Sequence, residues 1–157
     1  MPILRAYVDE SKSKGYLMVA VLCDAQRAPG IRKALNNLVL PGQRRIHMVK
    51  ESKNRRKQIT AKVTDANLQV LTARSNLAYE PDARNECLTA LVRLCIDMNV
   101  DEMVLELDES FESSDKLAIS RALSGKFVLS YRHESPYREP LLWAADVFAW
   151  NAGKGLR

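Results

Sequence analysis

Acidic residues next to or inside apolar segments are the side chains of this sequence best suited to chemistry. Asp9 directly follows the apolar run 3–8, and Asp146 lies within the apolar segment 141–148 near the other end of the chain. A carboxylate is costly to bury without a partner, so such acids are usually exposed, paired or bound to a cation. We therefore expect the two aspartates to share a metal site. A bond to a neighbouring strand or arginine is the alternative for Asp146.

Two glutamates complete the candidate catalytic set. Glu51 opens a predicted helix, and Glu106 lies in an apolar strand with Asp108 as the alternative third acid. Hard divalent cations such as Mg²⁺ prefer carboxylate oxygen, and two such ions about 4 Å apart can activate water for phosphodiester hydrolysis. Ordinary roles also fit: Asp9 could cap a turn, Glu51 could stabilise a helix start, and Asp108 could belong to a loop.

Basic residues form a dense stripe in the middle of the sequence. The chain has 24 Lys and Arg against 19 Asp and Glu, which gives a net charge of +5. The stripe contains Arg44, Arg45, Lys50, Lys53, Arg55, Arg56, Lys57 and Lys62. Such a stripe suits contact with a phosphate backbone, and a solvated helix face is the alternative. Lys50, Lys53, Arg55 and Arg56 are the candidate substrate-binding cations.

The two histidines are further candidates for substrate binding. His47 stands four residues before Glu51 and could contact a phosphate, whereas His133 precedes the turn that leads to the final helix. A histidine near bound metal can protonate a leaving group or assist product release. An ordinary hydrogen-bonded role is the alternative for both.

The composition predicts a single soluble domain spanning residues 1–157. The chain is 46% hydrophobic and 27% charged, as in an ordinary globular protein. We expect a cytoplasmic location without membrane association, because the sequence has no long apolar run and no signal-peptide pattern. Three cysteines without a CxxC pair give little support for zinc, and Cys87 and Cys95 are predicted core residues.

Hydrophobic periodicity predicts alternating strands and helices. The predicted strands are 3–8, 16–23, 45–49, 68–74, 103–107 and 127–131. The predicted helices are 30–38, 51–65, 81–98, 113–124 and a last one from Pro136 or Pro140 to Gly153. The first two strands, joined by a short turn, form an antiparallel hairpin. Helical crossovers between later strands imply parallel pairs, so we expect an α/β mixed sheet with helices on both faces.

Several short motifs carry a family resemblance. The sequence Asp9-Glu10-Ser11 after an apolar strand resembles the opening of ribonuclease-H-like proteins. It is most similar to a little-characterised bacterial group whose first strand ends in Asp-Glu-Ser and whose last helix carries Ala-Asp, here Ala145-Asp146. The stretches 47–52 and 139–146 resemble the central and closing motifs of that group. The motifs follow in order over nearly the whole chain.

The resemblance implies a ribonuclease-H-like fold and a nuclease site that uses Mg²⁺ or Mn²⁺ on DNA or RNA. Asp9, Glu51, Glu106 and Asp146 then occupy the catalytic acidic positions, and all of these except Glu51 are metal ligands. One departure stands out. In ribonuclease H proper a carboxylate ends the fourth strand, but the predicted fourth strand, 68–74, has no acid. Glu106 or Asp108, one strand later, would have to replace it.

Two further questions stay open at the level of sequence. A non-catalytic domain that binds nucleic acid or protein could keep the same fold and positive surface. The chain could be a monomer or a homodimer, because Phe148 and Trp150 could form a dimer contact. Packing of these two side chains on the sheet is the interpretation we favour.

Overall fold

The computed structural model describes residues 2–13 and 15–154, and five strands and five helices lie within these ranges. The strands are β1 (Leu4–Ser11), β2 (Tyr16–Asp24), β3 (Gln69–Ser75), β4 (Glu102–Glu106) and β5 (Ser130–Glu134). The helices are α1 (Ala28–Asn36), α2 (Lys53–Asp65), α3 (Glu80–Asp97), α4 (Glu112–Leu123) and α5 (Leu141–Gly153). A short 3-10 turn, Met48–Lys50, precedes α2. No helix in the described ranges combines the length and apolarity needed to cross a bilayer.

The five strands form one mixed sheet in the order β3-β2-β1-β4-β5. Strand β1 pairs with β2 in an antiparallel hairpin, and β3 extends the sheet antiparallel to β2. On the other side β4 runs parallel to β1, and β5 runs parallel to β4. The parallel pairs require crossovers, which the helices provide. The predicted α/β mixed sheet with an N-terminal hairpin is confirmed.

Helices cover both faces of the sheet, and the alternation of side chains along the strands decides which residue meets which layer. Tyr7 of β1 and Val104 of β4 contribute to the core that contains α1, α2 and α5. Val8 and Leu105 contribute to the opposite core, which contains α3 and α4. Residues two positions after Tyr7 and Val104 therefore point to the face that α5 covers.

The predicted strand 45–49 is wrong, and its error has a physical cause. This segment is a loop that runs into the 3-10 turn. Its alternating apolar residues, Ile46 and Met48, are fully buried in the core, so the pattern reflects burial without strand pairing. As a consequence β4 is the fourth strand of the chain, and it ends in Glu106. The predicted fourth strand, 68–74, contains no acid. In the structure this segment is the third strand, and the fourth strand does end in an acid.

The last predicted strand is displaced toward the C-terminus. The prediction placed it at 127–131, whereas β5 spans Ser130–Glu134. Phe127 lies fully exposed in the preceding loop, and Val128 is also exposed. The prediction therefore began too early, because it took two apolar loop residues for the start of the strand.

The C-terminal end of α5 packs tightly against the end of β1. Ser13 donates a hydrogen bond from its Oγ to the carbonyl oxygen of Gly153, with a length of 2.6 Å. A methyl group at Gly153 would collide with the Ser11 hydroxyl and would lie 2.8 Å from Ser11 Cβ. The absence of a side chain at Gly153 therefore sets how closely α5 approaches β1.

We expect Gly153→Ala to lower the free energy of unfolding by about 1–3 kcal/mol through overpacking. Gly30→Ala in α1 is the matched control, because nothing lies within 4 Å of the added methyl group. There the higher helix propensity of alanine should raise the free energy of unfolding by about 0.5–1 kcal/mol. Urea denaturation followed by circular dichroism measures both changes, and equal effects at the two positions would contradict this account.

Candidate active site

Three acids from three separate elements lie on the face of the sheet that α5 covers. The parallel register of β1 and β4 ends with Val8 opposite Leu105, so Asp9 and Glu106 follow at neighbouring positions. Asp146 comes from α5, and its Oδ2 accepts a hydrogen bond of 2.7 Å from the backbone N–H of Met48. The topology thus brings together residues that are up to 137 positions apart in the sequence.

Burial and mutual repulsion dominate the electrostatics of these acids. Burial raises the pKa of Asp9 well above its ordinary value, and the charges of Glu106, Glu10 and Asp146 raise it further. The backbone N–H of Glu10 donates to Asp9 Oδ1 at 2.8 Å and partly opposes this shift. Burial likewise raises the pKa of Asp146, against the hydrogen bond from Met48. A site with such raised pKa values favours either protons or a cation.

The pKa of Glu106 is also raised, and this acid has a cationic neighbour. Burial raises its pKa to about 7, with smaller contributions from the charges of Glu10 and Asp146. The guanidinium of Arg45 acts in the opposite direction, and its Nη2 lies 3.6 Å from Glu106 Oε1. The sequence placed Arg45 only within a general basic stripe. Its pairing with Glu106 depends on the loop before the 3-10 turn, which sequence periodicity did not predict.

The chemistry of the donor set fits a hard divalent cation. Asp9, Glu106 and Asp146 offer carboxylate oxygen, which Mg²⁺ and Mn²⁺ prefer, and Mg²⁺ commonly keeps several water ligands besides one or two carboxylates. Within residues 2–13 and 15–154, however, no group of three or more His, Cys, Asp or Glu side chains is arranged so that it could hold a metal ion. The fit therefore rests on the type and charge of the donors.

Glu51 forms polar contacts that stabilise the loop before α2. It is 8% exposed, and its Oε2 accepts a hydrogen bond of 2.7 Å from Gln43 Nε2. Its Oε1 lies 3.4 Å from the Nε of Arg55, which is four residues later in the first turn of α2. Ser52 caps this helix, with its Oγ accepting from the N–H of Arg55 at 3.2 Å. These partners give Glu51 a structural task that its place in the predicted catalytic set did not include.

The two histidines lie on opposite faces of the sheet. His47 precedes the 3-10 turn, and burial together with the charge of Arg45 lowers its pKa, while the charge of Asp146 opposes the shift. His133 of β5 pairs in register with Leu105 and therefore faces α3 and α4. Its Nε2 lies 3.1 Å from Asp115 Oδ2. The structure brings His47 to the acidic site and does not bring His133 there.

The predicted substrate-binding cations divide into two kinds. Arg55 and Arg56 are tied into the protein, because Arg55 donates to the carbonyl of Leu38 at 2.7 Å and Arg56 donates to the carbonyl of Met48 at 2.7 Å. Lys50 and Lys53 are exposed.

Asp108, the alternative third acid, lies beyond the end of β4 and accepts hydrogen bonds from Ser110.

No family model and no curated protein matches this chain by sequence. Solved structures do match. The PCNA:RNase HII complex from Archaeoglobus fulgidus matches with a TM-score of 0.65 and 14% identity, over 97% of this chain and 73% of that one. Ribonuclease H2 from Pyrococcus horikoshii OT3 gives 0.57 and 13%, over 97% and 72%. Bst-RNase HIII in complex with Mn²⁺ gives 0.57 and 11%, over 98% and 52%.

This chain has the ribonuclease-H-like fold. The match extends over nearly all of the chain, while the low identity limits the comparison to architecture. Within this ribonuclease-H-like sheet, Asp9 ends the apolar part of the first strand and Glu106 ends the fourth.

A second polar cluster lies on the opposite face of the ribonuclease-H-like sheet, and sequence reasoning missed it. Arg84 of α3 donates from Nε and Nη2 to the two carboxylate oxygens of Asp115 in α4, both at 2.8 Å. Its Nη1 donates to the hydroxyl of Tyr16 at 3.1 Å and lies 3.6 Å from Glu10 Oε2. Arg84 and Asp115 are almost fully buried. The detectable signal was an arginine on the apolar stripe of helix 81–98, in line with Cys87, Leu88 and Leu91.

We expect Glu106→Gln to remove a pH-dependent loss of stability in metal-free protein. Because the folded-state pKa of Glu106 is about 7 and its ordinary value is 4.5, the folded wild type holds a proton that the unfolded chain releases between these values. Wild-type stability should therefore fall as pH rises through that window. Glutamine resembles the protonated acid, so the variant should exceed wild type by roughly 3 kcal/mol at pH 8 and nearly match it at pH 4.5.

Urea denaturation in EDTA at the two pH values measures this difference. Glu109→Gln, at an exposed position just beyond β4, is the matched control and should show the same offset from wild type at both pH values. A Glu106→Gln offset that does not change with pH would contradict the assigned electrostatics.

We expect Arg84→Met to lower the free energy of unfolding by about 3–5 kcal/mol, because it removes both guanidinium hydrogen bonds from the buried Asp115 carboxylate and leaves it only the contact with His133. Arg93→Met, at an exposed position of the same helix, should change it by less than about 0.5 kcal/mol. Adding Asp115→Leu to Arg84→Met should recover part of the loss. A loss below about 1 kcal/mol for Arg84→Met in chemical denaturation would show that the pair is not a structural support.

Proposed function

We propose that this protein is a divalent-metal-dependent nuclease that hydrolyses phosphodiester bonds in DNA or RNA. The observation that carries the proposal is the position of Asp9 and Glu106 at the neighbouring ends of two parallel strands, on the face of the sheet that α5 covers with Asp146. The ribonuclease-H-like fold supports it. Asp9, Glu106 and Asp146 would hold Mg²⁺ or Mn²⁺. A bound ion of this kind activates water and stabilises the leaving oxygen.

The side chains around the acids prepare them for this task. Backbone N–H groups fix one oxygen of Asp9 and one of Asp146 by hydrogen bonds of 2.8 and 2.7 Å. Arg45 limits the repulsion at Glu106. His47, with its lowered pKa, presents a largely neutral imidazole near Asp146 at pH 7. A neutral imidazole beside a phosphodiester can accept a proton or donate a hydrogen bond.

The charge of the protein supports a nucleic-acid substrate. The net charge is +5, and the basic stripe between residues 44 and 62 borders the acids through Arg45 and the 3-10 turn. Contacts between such cations and phosphates release counterions, so binding should weaken steeply with salt. Among the similar structures, one RNase HIII was solved with Mn²⁺ and one RNase HII in a complex with PCNA.

The alternative function is a nucleic-acid- or protein-binding domain without catalysis. One observation favours it: the described part of the chain has no group of three or more potential ligands arranged so that it could hold a metal ion. This alternative keeps the basic surface and the fold but requires no turnover.

Cleavage assays separate the two functions. We expect purified protein with Mn²⁺ or Mg²⁺ to cleave at least one of four labelled substrates: single-stranded RNA, single-stranded DNA, duplex DNA and an RNA–DNA hybrid. EDTA should abolish cleavage, and Asp9→Asn should reduce it at least about 100-fold, because one carboxylate ligand is lost.

Asp97→Asn, at an exposed position near the end of α3, is the matched control and should leave the rate unchanged. Binding of these substrates without metal-dependent cleavage would reject the nuclease and support the non-catalytic alternative. Cleavage that persists in EDTA or in Asp9→Asn would point to a contaminating nuclease.

A further inference from the structure

An open groove lies beside the acidic site, between α2 and the C-terminal end of α5. Its volume is about 650 Å³, and its lining includes Lys53, Arg56, Lys57, Trp150, Asn151 and Lys154. Asn151 donates a hydrogen bond of 3.1 Å to the hydroxyl of Thr60 and so joins the two helices. We call this feature the Trp150 groove.

The Trp150 groove combines positive charge with an aromatic ring. Four of its lining residues are Lys or Arg, and the described residues that line it include no acid. Trp150 is half-buried. The Arg56 guanidinium and the Lys154 ammonium each lie 4.3 Å from the centre of its ring system. Lysines around an aromatic platform are the composition of surfaces that bind single strands, where bases stack and cations meet phosphates.

The groove and the acidic site share structural parts. Trp150 and Asp146 are four residues apart on α5, a rise of about 6 Å along the same side of the helix. Arg56 donates to the carbonyl of Met48 at 2.7 Å, and the N–H of the same residue donates to Asp146 at 2.7 Å. A strand that occupies the groove therefore lies within about one helical turn of the acids.

We propose that the Trp150 groove binds a single-stranded segment of nucleic acid, with one base taking the place of the Lys154 ammonium on the Trp150 ring and backbone phosphates on Lys53 and Lys57. The Arg56 guanidinium is held by the carbonyls of Met48 and Val49 and gives the ring a fixed backing. A duplex keeps its bases stacked inside and offers no base face to the ring. The idea that this strand leads to a cleavage site rests on the proposed nuclease function, but the binding itself does not.

Fluorescence anisotropy in EDTA tests the groove without cleavage. The probes are a fluorescein-labelled 12-nucleotide oligothymidine and an abasic strand of the same length. We expect Trp150→Ala to weaken oligothymidine binding about 10-fold, since one base–aromatic stack contributes about 1–3 kcal/mol. Trp150→Phe should retain most of the affinity. The abasic strand should bind wild type and Trp150→Ala equally, because it has no base to stack.

Charge reversals at two exposed lysines provide the matched pair. Lys57 of α2 lines the Trp150 groove, whereas Lys116 belongs to α4 on the opposite face of the sheet. Lys57→Glu should weaken binding of both probes about 10-fold and reduce the salt dependence. Lys116→Glu should change the affinity less than about 2-fold.

Three results would overturn the proposal. They are unchanged oligothymidine affinity in folded Trp150→Ala, an equal loss for the abasic strand, and tighter binding of a 12-base-pair duplex that is insensitive to Trp150. Thermal melting of each variant verifies that it is folded. The outcome is separate from that of the nuclease proposal: groove binding with no cleavage of any substrate would sustain the groove and reject the nuclease.

Discussion

The parallel pairing of β1 with β4 is the constraint on which the rest of this structure depends. It places Asp9 and Glu106 side by side at the end of two core strands, where burial and repulsion raise the pKa of both. Covering this end of the sheet with α5 adds a third acid, Asp146. One buried and two partly buried acids add nothing to stability here, because each costs free energy unless a cation compensates it. This excess of negative charge is the feature on which the proposed metal site rests.

On the opposite face of the same sheet, the charge of the buried acid Asp115 is compensated by its neighbours. Burial also acts to raise the pKa of Asp115, but hydrogen bonds from Arg84 and His133 bring it below its ordinary value. Asp9 and Glu10 are adjacent in sequence and, because side chains alternate along a strand, they serve different faces. Glu10 lies near Arg84, whereas Asp9 meets other acids. The end of β1 thus supplies Glu10 to an ion cluster around Arg84 and supplies Asp9 to a site where acids meet one another.

The sequence was most informative where local pattern and burial coincide. The apolar surroundings of Asp9 and Asp146 predicted that these acids had unusual environments, and the hairpin and helical periods predicted the α/β sheet. Pairings across the chain, such as Arg45 with Glu106 and Arg84 with Asp115, could not be predicted, because periodicity reports which side chains are buried and not which partners they meet. The same limit explains the wrong strand at 45–49: Ile46 and Met48 alternate and are buried, but no neighbouring strand pairs with them.

That error marks a segment whose irregular backbone makes contacts that a strand could not make. In a strand, the backbone groups of Met48 would be committed to ladder hydrogen bonds. As a 3-10 turn, the segment directs the Met48 N–H to Asp146 and its carbonyl to Arg56, so one residue joins the acidic site to the basic helix α2. Local preference and global structure commonly disagree at functional sites. Asp146 thus holds this loop on one side and Arg56 on the other, and the acidic site and α2 are connected through the backbone of Met48.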